Sequence, residues 1–271
     1  MRNIKKGLIM KIYIFCDLEG ISGIYGTTYV LEASGRPDHL AKGREFMAAD
    51  INACIEGCFQ AGATEVVVRD GHGAGANVTR SMIDDRATLV CGQTPGIRFA
   101  EFENSDGIIL LGYHAMAGTA AAVMEHTFSS KTIQNIAING RNVGEIYIDA
   151  IIAGDYGVPV LMVAGDDKTC KEATEFLGED VVTCQTKKGT AVSGAIMPSL
   201  EATHKLITEK TIEAVKKLGK IAPTKVDYPI VWRHEAIERV SPPRLSHHTY
   251  IDARTSQWET NSVEKALLFG E

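Results

Sequence analysis

Four short apolar runs punctuate the first 166 positions: "KIYIFCD" (11–17), "EVVVRD" (65–70), "GIILLGY" (107–113) and "VPVLMVAGD" (158–166). They are rich in Val and Ile and show no in-out alternation, the pattern of strands buried on both faces. Between the first two, "HLAKGREFMAADINACIEGCFQAG" repeats apolar residues at spacings of three and four and stops at Gly62, which predicts a helix. After the fourth, "DDKTCKEATEFLG" begins on an Asp N-cap and stops at Gly178. Such alternation points to an α/β chain with a mostly parallel sheet and helices on both faces. The Asn-Gly step in "NGRN" (139–142) predicts a hairpin. Beyond about residue 186 the pattern changes. "GTAVSGAIMPSLEATHKLITEKTIEAVKKLG" reads as a loop leading into a long amphipathic helix, followed by "YPIVWRH", "SHHTYIDAR" and a final helix near "NSVEKALLF". The expected division is a larger α/β domain over 1–186 and a smaller α+β domain over 187–271.

Composition narrows the partners. At 271 residues, 45% hydrophobic, the chain can bury a full core. A net charge of −6 and no Lys/Arg cluster argue against a nucleic-acid surface. The six cysteines include no C-x-x-C pair, so reduced, mostly buried thiols and a cytoplasmic location are expected. The start, "MRNIKKGLIMKIYIF", imitates a signal peptide, but Lys11 interrupts the apolar stretch and no small-residue cleavage site follows. Residues 1–9 are expected to be an extension outside the core. No apolar run reaches the length of a membrane span.

Each of the first three strands is followed at once by residues that bind metals. Strand one delivers Asp17 and Glu19, strand two Asp70 and His72, strand three His114. In open α/β sheets the site lies beyond the carboxyl ends of the strands, so these groups share one edge. The glycines in "EGISG", "DGHGAG" and "LGYHAMAG" allow close backbone approach there. His126, in "VMEHTF", and Glu145, opening a helix in "RNVGEIYIDA", are further candidates that spacing alone does not place in space. Mixed imidazole and carboxylate donors suit zinc or another first-row transition metal. The set Asp17, Glu19, His72, His114 and Glu145 exceeds the needs of one open tetrahedral zinc and fits a pair of ions with Asp17 as bridge. A lone Asp after a strand is more often a turn former or N-cap, the expectation for Asp70, Asp166 and Asp167. Cys54 and Cys58 read as core, and His247 and His248 as surface or strand residues.

The motifs "DLEGISG", "GREFMAADINACIEGCFQAGATEVVVRDGHG", "LLGYHAMAG", "VMEHTFSS", "INGRNVGEIYIDA" and "GVPVLMVAGDDK" together resemble the zinc-dependent D-aminopeptidase family, from about residue 11 to 190. The resemblance implies that Asp17, Glu19, His72, His114 and Glu145 are ligands of two zinc ions and that His126 is the catalytic histidine. It also implies that residues 1–186 form a Rossmann-like domain beside the smaller α+β one, and a homo-oligomer, a ring-shaped decamer with enclosed sites, acting on short peptides or aminoacyl amides of D-amino acids. Two rivals differ in chemistry. In a haloacid-dehalogenase-type phosphatase Asp17 would attack phosphorus and "AGDD" (164–167) would hold Mg, leaving the histidines idle. In a non-catalytic α/β module that binds metal or peptide, His126 would have no task as a proton shuttle.

Overall fold

The computed structural model describes residues 9–31, 35–239 and 246–271; the expectations placed on residues 1–8 lie outside them. A seven-stranded sheet forms the centre, in the order β3-β2-β1-β4-β7-β8-β9. Its strands are β1 (Lys11–Cys16), β2 (Glu65–Asp70), β3 (Thr88–Val90), β4 (Gly107–Leu111), β7 (Val160–Asp166), β8 (Val182–Ala191) and β9 (Gly194–Ile196). All neighbours run parallel except β9, which pairs antiparallel with β8. β1 is the branch point, with β2 on one side and β4 on the other. That topological switch opens a crevice at the carboxyl ends of the strands.

The two faces of β1 feed two cores. Ile12, Ile14 and Cys16 join the layer under α1 (Pro37–Gln60) and α4 (Leu200–Lys216), whereas Tyr13 and Phe15 join α2 (Glu145–Asp155) and a second sheet. The alternation is the strand period of two, and both faces are apolar because both are covered. Helix α1 opens on Pro37, whose missing N–H costs nothing in a first turn. Gly62, with φ 101°, takes the chain out of it. Asp166 caps α3 (Asp167–Leu177) by accepting from the N–H groups of Lys168 and Thr169, and Gly178 ends it.

The second sheet is antiparallel, in the order β11-β12-β10-β5-β6. It comprises β5 (Ile133–Ile138), β6 (Arg141–Val143), β10 (Ile230–Ala236), β11 (Thr249–Tyr250) and β12 (Thr255–Thr260), with α5 (Val263–Phe269) packed beside it. The hairpin at Asn139-Gly140 forms as predicted, both residues adopting positive φ (51° and 82°).

The sheets do not divide at 186/187. That position falls inside β8, and β5 and β6 come from before it but pair with β10 from after it. Helix α4, expected in the smaller domain, packs on α1 of the parallel layer. The stretch expected to be a loop before α4 holds the β8–β9 hairpin instead. Its small residues and two glycines disguised a short edge pair, which needs no continuous apolar run. Four cysteines, Cys16, Cys54, Cys58 and Cys184, are buried and Cys91 is exposed; all six are free. Among the described residues no helix is long and apolar enough to cross a membrane.

Candidate metal centre

The strand-end residues converge. Leu111 ends β4, and Gly112 lets the chain turn against the loop after β1: a Cβ at Gly112, where φ is 72°, would lie 2.4 Å from the Asp17 carbonyl. A Cβ at Gly20 would lie 2.0 Å from the Tyr113 carbonyl, so neither position admits a side chain. The closeness is what brings Asp17 Oδ2 to 3.4 Å from His114 Nε2. His114 Nε2 also lies 3.2 Å from Glu145 Oε1, contributed by the first turn of α2. Across the site, His72 Nε2 is 3.4 Å from Glu19 Oε1.

Two donor groups result, Asp17–Glu19–His72 and His114–His126–Glu145, each with donor atoms within 4.8 Å of one another. Asp17 touches both through His114. His126 stacks on His114 with ring centroids 4.0 Å apart and places Nε2 4.0 Å from Glu145 Oε1. The loop that delivers it is bent hard, since Ala121, Met124 and Phe128 all adopt positive φ. Five of these six residues line a cavity of about 420 Å³, and His114 lies behind them, 2% exposed.

All three imidazoles are held in one orientation. Nδ1 of His114 bonds the Ala115 carbonyl (3.0 Å), that of His126 the Met124 carbonyl (2.9 Å), and that of His72 the Asn77 side-chain oxygen (3.3 Å). A carbonyl oxygen only accepts, so each Nδ1 carries the proton and each Nε2 is free to present a lone pair. That backing is how metal-binding histidines are oriented. His114 Nε2 and Glu19 Oε2 are buried with no hydrogen-bond partner, although buried polar atoms are nearly always satisfied. The donor set therefore fits metal ions.

The charges agree. Burial alone would depress His72, yet the Glu19 carboxylate beside it raises its pKa to about 10. Burial likewise opposes a charge on His114, and Glu145 and Asp17 overcome it, raising that pKa well above the ordinary value. Glu19 and Glu145 shift the other way: burial disfavours their charges, but the imidazoles hold both below the ordinary range. The carboxylates thus demand cations at the Nε2 positions, and a metal would displace protons there.

Several residues support the donors, and all of them except Asp70 escaped the sequence reasoning. Asp70 is the expected turn former: it accepts from the backbone N–H of Asn77 (2.6 Å) and Val78 (3.1 Å) and from the Asn77 amide (2.8 Å). It thereby sets the Asn77 that orients His72. Arg98 donates two 2.8 Å bonds to Asp149, one turn after Glu145 on α2, and reaches 3.8 Å from Glu145 Oε2. Tyr113 donates to the same Asp149 at 2.6 Å. Lys187, 1% exposed on β8, donates to the carbonyls of Glu19, Ile21 and Ile24 at 2.7, 2.7 and 2.6 Å. Glu172 accepts from the Met116 N–H at 2.7 Å. The Glu145–Asp149 pair, four apart and both buried in the largely apolar helix α2, was the one visible signal among those that escaped. Asp166 spends its oxygens on capping α3 and on the Val123 N–H (2.8 Å), and neither it nor Asp167 joins a donor group among the described residues. His248 stacks on Trp258, ring centroids 3.9 Å apart, and His247 bonds the Gly270 carbonyl.

Residues 10–269 match the D-aminopeptidase family, Peptidase M55. The D-aminopeptidase of Bacillus subtilis (strain 168) is 37% identical over 225 residues, covering 82% of this chain and 80% of that one. A solved structure, described as the Zn-dependent D-aminopeptidase DppA from Bacillus subtilis, a self-compartmentalizing protease, superposes with a TM-score of 0.85. It is 32% identical, and the superposition covers 95% of this chain and 94% of that one. This chain belongs to the D-aminopeptidase family.

Proposed function

We propose that the protein is a dinuclear zinc aminopeptidase that removes the amino-terminal residue of short peptides or aminoacyl amides, with a preference for D-residues. One observation carries the reading: three imidazoles, each fixed through Nδ1, aim Nε2 at carboxylates delivered by the loop after β1 and by the first turn of α2. Asp17, Glu19 and His72 would hold one ion, and His114 and Glu145 the other, with Asp17 shared. Bound zinc supplies Lewis-acid polarisation of a carbonyl and brings the pKa of water toward roughly 7. The protein's own part is to place and move charge. Asp17, Glu19 and Glu145 line the cavity and supply the negative charge that would hold the ions there. His126, at the cavity wall with its Nδ1–H held by the Met124 carbonyl, can take and return a proton at Nε2.

A second role for His126 has support, because its Nε2 falls within the His114–Glu145 group and could complete that ion's shell. Metal analysis of the purified protein, followed by assay of D- and L-aminoacyl substrates with zinc restored, tests the reading. Two ions per chain and faster turnover of D-substrates are expected; one Mg, or no hydrolysis of either series, would refute it. The relative's self-compartmentalizing description supports assembly of this chain into a closed homo-oligomer, for which we propose a decameric ring in the cytoplasm. Light scattering that gives a monomer at micromolar concentration would end that part.

A further inference from the structure

We propose that a second cavity, back to back with the first behind the His72 loop, is a binding site for a small oxyanion, with Arg69 as its determinant. The cavity measures about 350 Å³ and shares Gly71, Gly73 and Arg98 with the first. Arg69, next to last in β2, is 8% exposed. Among the described residues no carboxylate lies within ion-pairing distance of it. Its Nη1 donates to the Gly92 carbonyl at 2.8 Å and its Nη2 to the Thr94 hydroxyl at 3.4 Å, while Nε is buried without a partner. Burial disfavours the charge of a guanidinium that has no ion pair, so an anion supplied from outside would be favoured.

The walls fit that ligand. No Asp or Glu lines the cavity. The other guanidinium, Arg98, is already matched by Asp149, so the surplus charge belongs to Arg69. Among the described residues the backbone N–H groups of Gly73, Ala74 and Gly96, all at the wall, have no protein acceptor. A guanidinium fork beside free backbone N–H groups is the chemistry that holds phosphate or carboxylate oxygens. An oxyanion seated there would brace the glycine turn that presents His72, linking occupancy of one cavity to the shape of the other. The inference does not depend on the reaction proposed above.

Calorimetric titration of the metal-loaded protein with inorganic phosphate, and separately with acetate, at fixed ionic strength tests it. Saturable binding of one ion per chain is expected, and whichever titrant binds more tightly identifies the ligand as phosphate-type or carboxylate-type. Arg69→Met should weaken binding about tenfold or more, the value of one charge-assisted contact. Arg69→Lys, which keeps the charge and loses the fork, should fall between, and it carries the comparison if the Met variant does not fold. Arg233→Met, an exposed arginine of β10, should change nothing. Absence of saturable binding to both titrants overturns the site, as it would if a neighbouring subunit's carboxylate already filled it. Binding that the Arg69 variants leave unchanged also overturns it, and assigns the anion to the metal centre or to adventitious contacts.

Discussion

Replacing Lys187 with Met sets two large effects against each other. Met is close in length and removes a buried charge, which in many interiors is neutral or stabilising. Burial pushes the Lys187 pKa down to about 7, and Asp50, Asp166 and Glu19 only partly counter it. A displacement of that size corresponds to roughly 5 kcal/mol against the ammonium below pH 7. The three carbonyl acceptors work in the opposite sense, since charge-assisted hydrogen bonds are worth about 1.5–3 kcal/mol each and together match or exceed the burial cost. Deleting the ammonium cancels both terms and leaves the acceptors behind. The Ile21 carbonyl keeps the Ile24 N–H at 3.3 Å, but among the described residues those of Glu19 and Ile24 have no second donor. At about 1–3 kcal/mol for each stranded group, we expect Lys187→Met to lose about 3 kcal/mol. Urea unfolding of metal-free protein at pH 6 measures it. Because the same carbonyls belong to the loop bearing Glu19, zinc content should also fall. A variant as stable as the parent, with full zinc, would show that the ammonium is a tolerated burden and not a tether.

Four further outcomes are expected. His72→Ala and His114→Ala should each lose close to one zinc per chain by elemental analysis, since each removes a different group's imidazole. His126→Ala should keep both ions and near-native stability while kcat drops about 10²–10⁴-fold with little change in KM; loss of an ion would make His126 a ligand. Burial raises the pKa of Glu172 to about 7, so in metal-free protein the folded state keeps a proton that the unfolded state releases near 4.5. Stability is then lost, by about 3 kcal/mol, as pH rises from 4.5 through 7, and Glu172→Gln should flatten that slope in urea titrations at several pH values. Arg98→Met should cost about 3–5 kcal/mol in the same unfolding assay, because it leaves the fully buried Asp149 carboxylate without its counter-charge, with only the Tyr113 hydroxyl still donating to it.

Much of the parallel layer was legible because its strands are continuous apolar runs, which only a doubly covered sheet requires. Asp17, Glu19, His72 and His114 were legible as a group because each directly follows such a run, and a parallel sheet sends those ends to one edge. Glu145 and His126 were visible as residue types but not as neighbours. Their convergence depends on a hairpin and a strained loop whose paths follow from packing and not from spacing. Lys187 and Arg98 were hidden for a related reason. Lys187 reads as half of an ordinary Lys-Lys pair and Arg98 as a single cation between Ile97 and Phe99, and what makes each structural is a partner 163 or 51 positions away. The second sheet was misplaced because β5 and β6 look like an appendage of the first domain until β10 supplies their neighbour.

That interleaving has a consequence for the newly made chain. When the ribosome has released the first 190 residues, every proposed metal donor is present, yet the β5–β6 ribbon still has an open edge. β10 begins only at Ile230, and β12, its own neighbour, ends at Thr260. Until those strands arrive, the hairpin that leads into α2 is a two-stranded ribbon, which has little stability of its own in water. Glu145, directly after that ribbon, is then poorly placed to close the second donor group. An unfinished chain would therefore bind metal weakly at that half, and completion of synthesis would act as the step that arms the site.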